Sequence, residues 1–219
     1  MPEIAKKYDT NVIANMSGNT GEEYCEMAQI LSETDVALIE MNISCPNVKH
    51  GGMTFGTDPD TVYELTKKVK TYCKKPLVVK LSPNVTSITD IAKAAEQGGA
   101  DALSLINTLL GMKIDIHTKR PVLANNMGGL SGPAVKPVAV RMVYQVHQAV
   151  DLPIIGMGGV MNGEDVIEFM LAGASLVALG TGLFIKPDMI LDVKQYLEEY
   201  MNKNNITNIN DIIGAVELN

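Results

Sequence analysis

Apolar residues along the chain fall into two kinds of run. Short, nearly unbroken ones (NVIANMS, VALIEMNIS, PLVVKLS, DALSLINT, PIIGMGG and SLVALGTG) begin near residues 12, 36, 77, 102, 153 and 176. Between them lie longer segments whose apolar residues recur at helical spacing. An unbroken apolar strand is what a parallel sheet needs when both of its faces are covered, and the intervening helices supply the cover. The pattern predicts an α/β fold of repeated βα units.

Helix boundaries are written in the capping residues. Asp58-Pro59 sets a carboxylate before a proline at the first helical position, and Val62, Leu65 and Val69 follow on one face. A second helix starts at Ile88, continues through Ile91, Ala92 and Ala95, and stops at Gly98-Gly99, a left-handed C-cap signal. A third opens after Asn162 with Glu164 and Asp165 in its first turn, where acids favour the helix dipole, and ends near Gly173. The first, third and fifth units are short, the second and fourth long, with the extra length just after the strand. In (β/α) barrels those loops form the active-site face, and the stretch 107 to 134, with MGGLSG in it, is too long for a bare connection. The tail ITNINDIIGAVELN reads as a short capping helix.

With 219 residues and no linker or composition break, the chain reads as a single domain, 1–219, able to bury a core without disulfides or metals. Its formal charge of −7 argues against a broad nucleic-acid footprint. No apolar run is long enough to cross a bilayer and the start lacks a signal-peptide core, so a cytoplasmic protein with no membrane association is expected. Cys25, Cys45 and Cys73 show neither disulfide nor zinc spacing, and no metal site is expected.

Four places carry candidate chemistry. GMGGV (Gly156 to Val160) and ALGTG (Ala178 to Gly182) put glycines where late strands turn into helices, which suits a phosphate as well as a plain tight turn. Lys80 interrupts an apolar strand, so its ammonium must meet either a salt-bridge partner or an electron-rich ligand. Asn107-Thr108 brings an amide and a hydroxyl to a strand end, as turn groups or as substrate donors. Cys45 follows a strand in NISCPNVKHGG, with Pro46 fixing the backbone and Asn42 and Asn47 flanking it. Cys25 and Cys73 read as small hydrophobes inside helical segments, whereas Cys45 reads equally as filler or as a base or nucleophile with a lowered pKa. His50, His117 and His147 stand in no motif that would pair with it.

The stretches MNISCPNVKHGG, VVKLSPNVT, LINTLLGMKID, GGLSGPAVKPVAVRMVYQV, IIGMGGV and ALGTGLF resemble the class 1 dihydroorotate dehydrogenases, and more closely the catalytic subunits of the NAD-linked 1B type. The resemblance runs from about Asn11 to Pro187. It implies a (β/α)8 TIM barrel with FMN at its mouth. The flavin phosphate would rest on Gly158, Gly159, Gly180 and Thr181, with Asn15, Asn42, Lys80, Ile106 and Gly132 at the rest of the cofactor. Asn42, Asn47, Asn107 and Thr108 would hold dihydroorotate or orotate, and Cys45 would be the catalytic base. Class 2 enzymes carry serine there. The resemblance further implies a role in pyrimidine (UMP) biosynthesis and electron transfer to NAD through a partner subunit carrying FAD and an iron-sulfur cluster, in a heterotetramer built on a homodimer.

Only six strands are legible, whereas a closed barrel has eight, and the family has two βα units before the part that aligns with Asn11. The expectation is therefore an incomplete barrel of about six βα units. It would have open edges near Val12 and Val177, a tendency to pair with another chain and little activity alone. The neighbouring readings are a dihydropyrimidine dehydrogenase-like flavin enzyme, the fumarate-linked 1A type, and an inactive fragment serving only as an assembly element. KHGG after SCPNV favours 1B.

Overall fold

A computed structural model describes residues 7–44 and 55–219. Six parallel strands form the central sheet: β1 (Ile13–Met16), β2 (Leu38–Asn42), β3 (Leu77–Lys80) and β4 (Ala102–Leu105), then β9 (Ile154–Met157) and β10 (Leu176–Ala178). Their spatial order follows the chain, β1-β2-β3-β4-β9-β10, and the sheet curls into part of a barrel. Every apolar run singled out in the sequence supplies one of these strands. The expectation of an incomplete barrel is met, and among the described residues β1 and β10 each pair on one side only.

Helices cover the convex face: α1 (Gly21–Ser32), α2 (Pro59–Lys70), α3 (Ile88–Gln97), α4 (Lys136–His147), α5 (Gly163–Leu171), the single turn α6 (Gly182–Ile185) and α7 (Met189–Lys203). The predicted caps do their work. The Thr61 amide donates to Asp58 Oδ2 at 2.9 Å and the Asp165 amide to Asn162 Oδ1 at 2.9 Å. Thr20 and Ser87 cap α1 and α3 in the same way, each satisfying a first-turn N–H that has no partner inside its helix. Gly99, at φ +93°, ends α3 in the left-handed conformation foreseen there.

Strand alternation sorts the side chains. Ile39, Met41, Leu77, Val79, Leu103 and Ile154 are fully buried in one continuous core beneath the helices, joined by Tyr24 and Phe169. The opposite parity (Asn15, Glu40, Lys80, Ser104, Ile155, Met157, Ala178) faces the inside of the curl. A one-residue slip would exchange these sets, so the apolar parity fixes the register.

Two details differ from the sequence reading. The long loop 107–134 is an arm of two small antiparallel ladders, β5 (Leu109–Gly111) with β8 (Gly128–Leu130) and β6 (Ile114–Asp115) with β7 (Arg120–Pro121), followed by a 3-10 turn, Pro133–Val135. Cys73 lies beyond the end of α2 rather than within it, its thiol donating to the Lys75 carbonyl at 3.2 Å, because the helix unwinds after Thr71. Cys25 is buried in α1 as expected, and burial pushes its thiol pKa up. The tail forms a 3-10 turn, Ile209–Ile212, that inserts Ile212 into the core.

Candidate active site

Strand ends and the arm enclose a cavity of about 420 Å³ at the carboxyl rim of the sheet. That is the rim where parallel α/β folds bind ligands, and the volume suits a cofactor-sized molecule. One wall is apolar, built by Ile13, Ile106, Val135, Ile155 and Met157, and would accept a flat ring system.

The floor is polar because four neighbouring strands contribute one inward residue each. Register sets Asn15 beside Glu40 and Lys80 beside Ser104. The Asn15 amide donates to Glu40 Oε2 at 2.5 Å, the Ser104 hydroxyl donates to Glu40 Oε1 at 2.6 Å, and Lys80 Nζ stands 3.6 Å from Glu40 Oε2. Lys80 therefore has the carboxylate partner that one reading requires, and it also lines the cavity, where the other reading would set a ligand. Sequence reasoning passed over Glu40, yet the cost of burying a charge that marked Lys80 applies equally to an acid inside VALIEMNIS.

The far end of the cavity is the double turn after β9. Gly158 and Gly159 have φ of +128° and +77°, and a Cβ on Gly159 would stand 2.8 Å from the Gly132 carbonyl oxygen. Only glycine fits there. Gly180 is different, since a Cβ on it would meet nothing within 4 Å and its φ is not positive. Its bareness is required neither by packing nor by its backbone, and it keeps the wall open next to Thr181, whose hydroxyl lies 3.3 Å from that of Ser131. The residues fit a ligand with a phosphate at the glycine end and a ring against the Lys80 end.

Behind the double turn, Lys136 at the start of α4 reaches Asp165 Oδ1 at 2.6 Å and Glu168 Oε2 at 2.5 Å on α5. Asp165 also accepts the Met161 amide at 2.7 Å. These hydrogen bonds, to Asp165 first and then Glu168, hold the Lys136 pKa above its ordinary value. Its charge is thus committed to the frame of the turn.

Asn15, Lys80, Ile106, Asn107, Thr108, Gly132, Gly158, Gly159, Gly180 and Thr181 all line this one cavity. The Leu105–Ile106 peptide at the end of β4 is cis. Asn42 stands at the rim instead, its Oδ1 accepting from the Asn107 amide at 3.1 Å and from the Ser44 hydroxyl at 3.1 Å, so it acts on the wall through Asn107. Tyr24 steadies the same rim by donating to the Asn42 carbonyl at 2.7 Å. Cys45 and Asn47 lie outside the described residues. Among the described residues no cluster of metal-binding side chains occurs, and no helix is long and apolar enough to cross a membrane.

A partly closed α/β barrel with a phosphate-type glycine turn and a lysine-bearing floor at its carboxyl rim defines a class of ligand-binding barrel proteins. Within that class, the profile described as dihydroorotate dehydrogenase matches residues 2–201, and the chain belongs to that family. It is 59% identical over 211 residues to the catalytic subunit of dihydroorotate dehydrogenase B (NAD(+)) from Alkaliphilus metalliredigens, covering 96% of this chain and 70% of that one. It is 58% identical over 214 residues to the protein of the same description from Alkaliphilus oremlandii, covering 98% and 71%. The fold also matches the crystal structure of a DHODH in complex with ferulenol from Eimeria tenella. The TM-score is 0.77 at 24% identity, over 91% of this chain and 58% of that one.

Proposed function

We propose that this chain is the flavin-binding catalytic part of an NAD-linked dihydroorotate dehydrogenase, converting dihydroorotate to orotate in pyrimidine (UMP) biosynthesis. The observation that carries the reading is the bare wall at Gly180, opposite a lysine-bearing floor in the same cavity. A site for an elongated molecule with a phosphate at one end and an electron-poor ring at the other needs both. High identity to B-type catalytic subunits supports the assignment.

When bound, FMN supplies the acceptor for the hydride that leaves C6 of dihydroorotate. Lys80 places a cation where negative charge develops, beside the apolar wall of Ile106, Val135 and Met157. Asn107 and Thr108, with Asn42 and Asn47, orient the substrate ring through its amide and carbonyl groups. Cys45 would take the proton from C5 as the hydride leaves C6. Asn42 contributes to the orientation of the substrate ring by fixing the Asn107 amide at the rim. Electrons then pass to NAD through a partner subunit carrying FAD and an iron-sulfur cluster, in a cytoplasmic heterotetramer built on a homodimer. The 219 residues act as one domain.

The test is FMN titration of the purified chain, followed by one anaerobic addition of dihydroorotate. FMN should bind, and its absorbance should bleach slowly, with the bleaching lost in Cys45→Ala. A chain that takes up no flavin, or a Cys45→Ala variant that bleaches as fast, refutes the proposal. Supplying fumarate, or NAD with the partner subunit, as final acceptor separates the 1A from the 1B reading. Slow turnover by the isolated chain leaves the test intact, because it reads binding and a single reduction.

A further inference from the structure

Glu40 is the only acidic residue on the cavity wall and Lys80 the only basic one, among the described residues. Glu40 is 8% exposed, and both of its oxygens are engaged: Oε1 by the Ser104 hydroxyl, Oε2 by the Asn15 amide. Each oxygen is thus already tied to another strand. Lys80 stands at 3.6 Å from Oε2, beyond a hydrogen bond, and the ammonium makes no hydrogen bond to any described residue. It leans on the carboxylate without being locked to it, and its N–H groups remain for whatever fills the cavity.

The four side chains form a chain across four strands, with Glu40 as the hub. Without that hub, Asn15 on the edge strand β1 loses its hydrogen-bond acceptor, and Lys80 loses the only opposing charge on the wall. We propose that Glu40 is a positioning residue of this pocket: it aims the Asn15 amide and the Lys80 ammonium into the cavity and sets the net charge that faces the ligand ring. The proposal rests on the flavin reading for its ligand, but its geometry belongs to this chain alone. Because Glu40 offsets the Lys80 charge, a ring beside Lys80 feels a weaker positive field than the lysine alone would give. Removing the carboxylate charge should therefore make a bound flavin easier to reduce.

The experiment compares the unchanged chain with Glu40→Gln, which keeps the shape and removes the charge. Thermal melting serves as the folding control. In the FMN-loaded proteins the midpoint potential of the bound flavin should move to more positive values in Glu40→Gln. Lys80→Met alone should move it the opposite way, to more negative values, because it removes the opposing charge. In the FMN-free proteins, acylation of the Lys80 amine followed by peptide mass spectrometry should run several-fold faster in Glu40→Gln, because the side chain is no longer drawn toward the carboxylate. A folded, loaded Glu40→Gln protein with an unshifted potential overturns the proposal, since a purely structural carboxylate would leave the potential alone. If the unchanged chain takes up no FMN, the proposed function falls and the acylation arm decides: faster labelling upholds the positioning role and equal labelling ends it. Should Glu40→Gln fail to fold, Glu40→Asp, which withdraws the carboxylate from Lys80 while keeping its charge, is read by labelling alone: faster acylation of Lys80 upholds the positioning role and equal acylation ends it.

Discussion

Lys136 shows how a charge near a ligand site can be spent on structure. Its side chain is 25% exposed and Asp165 only 10%, so the pair is shielded from solvent screening that would make a surface ion pair nearly worthless. Removing the lysine leaves Asp165 with the Met161 amide but no counter-charge, a loss of roughly 2–3 kcal/mol by analogy with broken semi-buried pairs. The pH dependence has a definite sign. The folded pKa of Lys136 is raised above the ordinary 10.5, so its contribution is complete below that value and disappears as pH climbs through the folded pKa. Urea unfolding of the unchanged chain and of Lys136→Met should thus differ by a constant amount at neutral and mildly alkaline pH, and the two should converge at strongly alkaline pH. A difference that grows with pH would contradict the assignment. Single residues also mark where sequence reasoning stops. Lys80 was legible because a cation in an apolar strand needs a partner, but the partner, Glu40, sits 40 residues earlier in sequence and becomes its neighbour only through the parallel register of β2 and β3.

Strands were the most legible elements, since burial on both faces leaves continuous apolar runs that no loop would carry. Helix starts were legible at Asp58 and Asn162, where a side chain caps them, went unread at Thr20, whose side chain caps α1 in the same way, and were silent at α4, which begins from a 3-10 turn with no side-chain cap. The arm was legible only as excess length. Its ladders are two or three residues long, and the β5/β8 ladder is glycine-rich, so they are too short to show a period of two, and their pairing is decided by contacts across the arm. The glycine turns were legible as candidates for phosphate or for tight turns, and the structure separates the two glycines by backbone need: Gly159 is demanded by the chain, Gly180 is not. That difference gives a prediction at the level of the turn. Gly180→Val should leave the melting temperature within a few degrees of the unchanged chain, because its side chain enters open space. It should weaken FMN binding by at least tenfold in a fluorescence titration, because the same space is where the ligand would lie. Gly159→Val should instead lower the melting temperature, as it combines a positive φ with a contact to the Gly132 carbonyl. Equal behaviour of the two variants would mean that Gly180 has no ligand role.

Across the whole molecule, the sheet is curled, and among the described residues its outer strands pair on one side only. The chain spans about 70% of the length of its curated relatives and 58% of the structural neighbour's chain. Strand β1 at one margin carries Ile13, 40% exposed, and β10 at the other carries Leu176, 58% exposed, with Phe184 and Ile185 of α6 exposed close behind it in sequence. An open strand margin offers unpaired N–H and C=O groups, and apolar side chains beside it add the favourable burial that makes edge pairing persist. Natural sheets block this with charges at the margin, which neither Ile13 nor Leu176 provides. The isolated 219-residue chain should consequently self-associate, its weight-average mass in sedimentation rising with concentration above that of one chain. Lysine at both margins, Ile13→Lys with Leu176→Lys, should return it toward a single-chain mass, because a charge carried into an edge-to-edge contact would have to be desolvated. Since Ile13 also lines the cavity, the Leu176→Lys variant alone separates association from ligand binding: it should reduce association and leave FMN affinity unchanged. A chain that sediments as one species at every concentration would show that these margins are already protected, and association driven by the apolar arm residues Ile116 and Val122 would survive both lysines.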